Sequence, residues 1–197
     1  MNPANNMPYL PNRRLNENEE KLSTEREISS IPMSVEGNNG NINRWEYPSP
    51  QQFYNALLRK GMETPVEHID TMVDIHNFLN EGAWNEVLKW EKLSNCDCSD
   101  PKLLRFSGRP KEMSPKAWFY TTFFGAPKPF DRHDWIVDRC GKEVRYVIDY
   151  YAGDENPHED APEFVLDVRP AIDSLGAIKS RLAVAFTEFF QRFNNSS

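Results

Sequence analysis

The chain has 197 residues, a formal net charge of −7 and a hydrophobic share of 39%, which suits one ordinary domain with or without a loose arm. The acidic balance excludes a general nucleic-acid binder, because phosphate recognition needs a basic face. No stretch approaches the ~18 consecutive apolar residues of a membrane-crossing helix, and the opening residues match neither a secretory signal nor an Arg-rich presequence.

Residues 1–43 are rich in Asn, Glu, Ser and Pro and hold one aromatic, Tyr9, whereas all five Trp and all twelve Phe lie from Trp45 onward. This contrast predicts a weakly ordered N-terminal arm over 1–43 and a compact body over 44–197. The body opens with a helix: Ser49 is an N-cap, Pro50 fits the first turn, Phe53, Tyr54, Leu57 and Leu58 recur at helical spacing, and Gly61 ends it. Thr64-Pro65-Val66-Glu67 reads as a capping box that starts a second helix, with Ile69, Met72, Val73, His76 and Leu79 on one face. A third helix is expected over 80–93, with a bend or break at Glu81-Gly82, since Gly is a poor helix former.

The middle reads as strands. Aromatic and β-branched residues predict one over 118–124. Segments 134–139 and 142–151 flank Cys140-Gly141, the pattern of a hairpin around a tight turn. Residues 152–162, acidic with Gly and Pro, read as a loop, and 163–168 as a further strand. From about Pro170, Ile172, Leu175, Ile178, Leu182, Phe186 and Phe189 predict a long closing helix packed on the sheet. The expected fold is therefore α+β: N-terminal helices, a central antiparallel sheet and a long C-terminal helix.

Ready-made catalytic motifs are absent: there is no Gly-rich phosphate loop, no Gly-x-Ser-x-Gly and no His-Glu-x-x-His. His76, on an apolar helical face and followed by Asn77, has the chemistry of an iron ligand. Its spacing is equally that of a half-buried core histidine, which is the commoner case. In Asp131-Arg132-His133-Asp134-Trp135 a His lies between carboxylates and an Arg, suited to holding a propionate or moving a proton, or to forming a salt-bridged strand entrance. Trp45, Trp84, Trp90, Trp118 and Trp135 could line a porphyrin pocket or build a core. Arg139 and Arg145 near the hairpin could grip carboxylates or stand exposed. Cys96-Asp97-Cys98 is too tight for a structural zinc site, and with Cys140 the odd count reads as free thiols.

Longer strings carry a resemblance. Trp45-Glu46-Tyr47-Pro48-Ser49, Ile75-His76-Asn77, Asn80-Glu81-Gly82-Ala83-Trp84, Pro129-Phe130-Asp131-Arg132-His133-Asp134-Trp135 and Glu143-Val144-Arg145-Tyr146-Val147-Ile148-Asp149-Tyr150-Tyr151 run in order along the chain. In these the sequence resembles the mitochondrial holocytochrome c-type synthases, the cytochrome c or c1 haem lyases. That resemblance implies a lyase that binds haem b, expected ferrous, and joins its vinyl groups by thioether bonds to the Cys-x-x-Cys-His cysteines of apocytochrome c, apocytochrome c1 or both. It implies residence in the mitochondrial intermembrane space, peripheral on the inner membrane. It assigns His76 as axial iron ligand and catalytic residue, Glu81 as a second catalytic position, and Trp45, His133 and Arg139 to haem binding. The rival reading is a haem chaperone or carrier that forms no bond. The Cys-Pro motifs of many family members do not occur in this sequence.

Overall fold

The computed structural model describes residues 11–12, 22–34, 43–94, 97–153, 163–173, 178 and 181–182. The chain divides into two compact units, Met1–Gly82 and Ala83–Ser197.

In the first unit, strand β1 (Ile28–Pro32) pairs antiparallel with β2 (Arg44–Glu46). Ser29 and Ile31 of β1 are buried, as are Trp45 and, just past β2, Tyr47; their neighbours face outward, the period-two alternation of a half-buried ribbon. Helix α1 (Pro50–Arg59) begins as the sequence predicts. The Ser49 hydroxyl accepts from the Gln52 N–H at 3.2 Å, and the Gln52 side chain accepts from the Ser49 N–H at 3.2 Å, which closes a capping box. Tyr54 and Leu57 pack with Ile69 and Val73 in a small apolar core.

The second capping box is not realised. Pro65 stands at the N-cap of a single 3-10 turn (Val66–His68) with no side-chain cap, and helix α2 starts at Ile69. Helix α2 (Ile69–Leu93) then runs unbroken for 25 residues, one helix where two were expected. A mid-helix Gly costs about 1 kcal/mol. Burying Trp84 and Val87 in the turns beyond Gly82 contributes roughly 1.5–3 kcal/mol each, which outweighs that cost.

The second unit holds a four-stranded antiparallel sheet in the order β3 (Lys102–Gly108), β4 (Asp131–Arg139), β5 (Lys142–Ala152), β6 (Phe164–Pro170). The β4–β5 hairpin turns at Cys140-Gly141 as expected, both with positive φ (48° and 88°), the geometry of a primed hairpin turn. One face of the sheet carries Trp135, Val137, Tyr146 and Ile148, all buried. There the C-terminal half of α2 docks: Trp90 Nε1 donates to the Val168 carbonyl at 2.7 Å, and Glu91 accepts from Tyr146 and Arg139. The opposite face carries buried Asp134, Asp149 and Arg169, matched by Arg132, Arg145 and the Ser114 hydroxyl.

Three expectations are corrected here. Residues 118–124 form no strand; they belong to helix α3 (Pro115–Phe124). Ser114 caps its start, Pro115 sits in the first turn and Gly125 closes it at φ 66°, so strong end signals override the β-propensity of the aromatics. Among the described residues there is no long C-terminal helix: the long helix there is α2, in the middle of the chain. Ile172, Ile178 and Leu182, whose burial was to hold that helix on the sheet, are 63%, 38% and 53% exposed. The remaining positions of the expected stripe, Leu175, Phe186 and Phe189, lie outside the described residues. Finally, Cys98 and Cys140 are not free thiols but a disulfide linking the chain before β3 to the hairpin turn, 42 residues apart. Closing a loop of that size stabilises by about 4 kcal/mol in the chain-entropy account.

Candidate functional site

His76 lies on α2, half-buried, between the rings of Tyr47 (centroids 6.1 Å) and Phe53 (5.7 Å), both meeting it edge-on. Its hydrogen bonds fix its tautomer. The Asn77 amide NH2 donates to the Glu27 carboxylate at 2.7 Å, and a carboxylate only accepts. Asn77 therefore turns its carbonyl oxygen to His76 Nδ1, 3.3 Å away, so Nδ1 carries the proton. The lone pair then rests on Nε2, which the Asn80 amide approaches at 3.3 Å while donating to the His76 carbonyl at 2.7 Å. A carboxylate-to-imidazole relay that leaves the far nitrogen basic is the arrangement that orients metal-bound histidines.

Glu81, one turn on, uses both oxygens. Oε1 accepts from the Ser30 N–H at 2.9 Å and the Tyr47 hydroxyl at 2.9 Å, and Oε2 accepts from the Ser30 hydroxyl. It ties β1 to α2 and holds Tyr47 against His76. Trp45 is buried two residues before Tyr47, on the same side of the ribbon.

The two predicted residues of the second unit have other partners. His133, on β4, directs Nε2 to Asp131 Oδ2 at 3.2 Å and Nδ1 to the Tyr150 hydroxyl at 3.3 Å. Asp131 can only accept, so Nε2 bears a hydrogen. Burial first, and then the Asp131 charge, push the Tyr150 phenol above its usual range, which keeps it a neutral hydroxyl able to donate to Nδ1. Both ring nitrogens are thus engaged. Arg139 grips buried Glu91 with two nitrogens, Nη2 to Oε1 at 2.7 Å, and the Tyr146 hydroxyl donates to the same carboxylate. Burial, followed by the Glu91 charge, raises the Tyr146 phenol well above its usual range. The structure thus gathers His76, Glu81 and Trp45 in the first unit and sets His133 and Arg139 in networks of the second.

Sequence reasoning missed Tyr47, Asn80 and Glu27. Asn80 had a readable signal: it stands four residues after His76 on the same helical face, and a buried Asn in a helix is there for its hydrogen bonds. Glu27, 50 residues from Asn77, had none. Among the described residues no group of three or more His, Cys, Asp or Glu gathers as a metal cluster. An axial haem ligand needs no such cluster.

The family described as cytochrome c/c1 heme lyase matches residues 1–185. The chain is similar to the holocytochrome-c synthase of Saccharomyces cerevisiae, 43% identical over 98% of this chain and 77% of that protein. It is also similar to the holocytochrome c-type synthases of Homo sapiens, 45% identical over 94% and 69%, and Bos taurus, 46% over 94% and 67%. No solved structure matches. A match of that extent leaves one assignment: the chain belongs to the cytochrome c/c1 heme lyase family.

Proposed function

We propose that His76 Nε2 takes the haem iron, with Tyr47 and Phe53 beside the imidazole, while the apocytochrome supplies the second axial histidine and both reacting thiols. Membership of the family gives the reaction class: a lyase that attaches haem to apocytochrome through thioether bonds. The observation that carries the site reading is the Glu27–Asn77–His76 relay, because it holds the proton on Nδ1 and leaves the lone pair on Nε2.

Each attachment is an addition. A substrate S–H adds across a vinyl C=C, sulfur bonding to the carbon nearer the ring and hydrogen to the terminal carbon, with no net oxidation. Haem is the substrate, in its b form with ferrous iron. The chain need not offer a nucleophile, since the peptide carries it; holding iron on His76 and the peptide's histidine opposite brings the thiols to the vinyl edges. Glu81 acts through Tyr47 rather than on haem. Trp45, buried two residues before that tyrosine, belongs to the same side of the ribbon. His133 and Arg139 keep the second unit in shape. We assign the chain to the mitochondrial intermembrane space, in contact with the inner membrane. The Cys98–Cys140 disulfide supports a compartment outside the reducing cytosol.

Co-expression with apocytochrome c, and separately with apocytochrome c1, tests this reading. Haem that survives acid-acetone extraction supports the lyase, whereas haem that binds but always extracts supports a carrier. His76→Ala should abolish attachment and change the haem absorption spectrum. Unchanged holocytochrome yield would refute the ligand assignment.

A further inference from the structure

Helix α3 is built unlike any other element of the second unit. Of its ten residues, Trp118, Phe119, Tyr120, Phe123 and Phe124 are aromatic, and they stand 46–69% exposed; only Ala117 is buried. The rings meet one another at a tilt, Phe119 with Phe123 at 5.0 Å and Tyr120 with Phe124 at 5.6 Å, so they form one apolar surface rather than scattered side chains. Met113 and Phe130, at the two approaches to the helix, are also exposed and widen it. A contiguous exposed patch of this kind marks an interaction site.

Charge narrows the occupant. The chain carries −7 overall, yet residues 109–130 hold four cations, Arg109, Lys111, Lys116 and Lys128, against the single anion Glu112. Arg109 is paired with Glu112 at 3.0 Å and Lys116 with Asp167 at 2.7 Å. Lys111 and Lys128, both exposed, stand instead on the lips of a cleft of about 230 Å³ formed by the loops entering and leaving α3. Glu112 and Asp131 also line it; the first is held by Arg109, and the second by His133 and the Arg132 N–H. Aromatic rings beside lysines suit a surface that is apolar within and anionic at its edge. Trp and Tyr favour the headgroup level of a bilayer, and lysines are drawn to anionic lipid. At ten residues α3 is too short to cross, and no helix among the described residues is long and apolar enough to do so.

We propose that α3 is an interfacial helix that lies in the headgroup region of an anionic phospholipid bilayer, with Lys111 and Lys128 receiving a lipid phosphate in the cleft between its flanking loops. This names the surface for the membrane contact stated above and rests on that contact, not on the haem site. The basic rim disfavours a cationic protein partner, and a second copy of this acidic chain would bring no anionic lipid phosphates to the cleft.

Flotation of the full chain with lipid vesicles tests the assignment. Wild type should float with phosphatidylcholine vesicles containing an anionic phospholipid, far less with phosphatidylcholine alone, and less at high salt. Lys111→Gln with Lys128→Gln should weaken partitioning by about 25-fold, from roughly fivefold for each lysine near an anionic surface. Phe123→Gln with Phe124→Gln should release the protein while leaving its Tm unchanged. Equal binding of all three proteins to both vesicle types would overturn the proposal. So would absent vesicle binding combined with a lowered Tm of the polar variant, the mark of a face covered by the chain itself, or a wild-type dimer that the polar variant dissolves. Attachment of haem to apocytochrome, measured without lipid, should be the same for all three proteins. Loss of vesicle binding with attachment intact, or the reverse, separates the two readings.

Discussion

His76 and His133 share a residue type, a half-buried setting and a carboxylate in their network, yet their chemistry differs. At His76 an amide stands between carboxylate and ring, its oxygen accepting from Nδ1–H, so the lone pair falls on Nε2, where the Asn80 amide, which also donates to the His76 carbonyl at 2.7 Å, approaches at 3.3 Å. At His133 the carboxylate meets Nε2 directly, so the lone pair falls on Nδ1 instead, where the buried Tyr150 hydroxyl donates to it. Which nitrogen of a histidine can meet a metal is thus set by what its other nitrogen touches, not by burial or by nearby acid.

Breaking that comparison begins with the largest effect. His76→Ala should lower covalent haem attachment by at least ~100-fold, whereas His133→Ala should lower it only a few fold and act through reduced stability. Equal losses for the two variants, with equal Tm, would erase the distinction. Arg139→Ala strips buried Glu91 of its guanidinium and should cost about 3–5 kcal/mol in urea unfolding. Combining it with Glu91→Gln should recover much of that loss, which a direct role of Arg139 in haem binding would not allow. Asn77→Leu frees Nδ1 from its director and should weaken haem binding by about 10-fold or more, with the Tm nearly kept. A variant that binds haem normally would show that the relay is idle.

The smallest expected effect is on the alkaline side. The Tyr146 phenol is raised by burial and by Glu91 above the 10.0 of an exposed tyrosine. Below pH ~10 both states keep their proton and the contribution is whole. Above it the unfolded chain ionises first while the folded phenol remains neutral, so stability falls as pH rises. Tyr146→Phe should flatten that decline in unfolding measured across pH 9–11.

Local signals made part of the fold legible. Ser49-Pro50 gave α1, Cys140-Gly141 gave the hairpin, and alternation along 142–151 gave β5. Where local signals compete, the helix ends outweigh side-chain propensity. Five aromatics argued for a strand at α3, although Ser114-Pro115 and Gly125 bracketed a helix. Strand β3 went unseen because Lys102–Gly108 alternates weakly and gains its partner, β4, only from across the chain. At the site, His76 and Asn77 were visible as neighbours, but the carboxylate that orients them comes from before β1, a long-range contact that no spacing rule encodes. Arg139 looked like a ligand-binding cation because its partner, Glu91, sits 48 residues away inside α2.

The cystine between Cys98 and the Cys140 turn has a consequence for the assay bench. Haem attachment requires the peptide's two sulfurs as thiols, so dithiothreitol or a phosphine is a natural additive. The same reagent, in excess, opens the catalyst's own crosslink and withdraws about 4 kcal/mol of its stability. Rates should therefore rise and then fall as reductant is increased. The falling limb would report softening of the enzyme and not slower chemistry, and Cys98→Ser, which has no crosslink to open, should remove that limb.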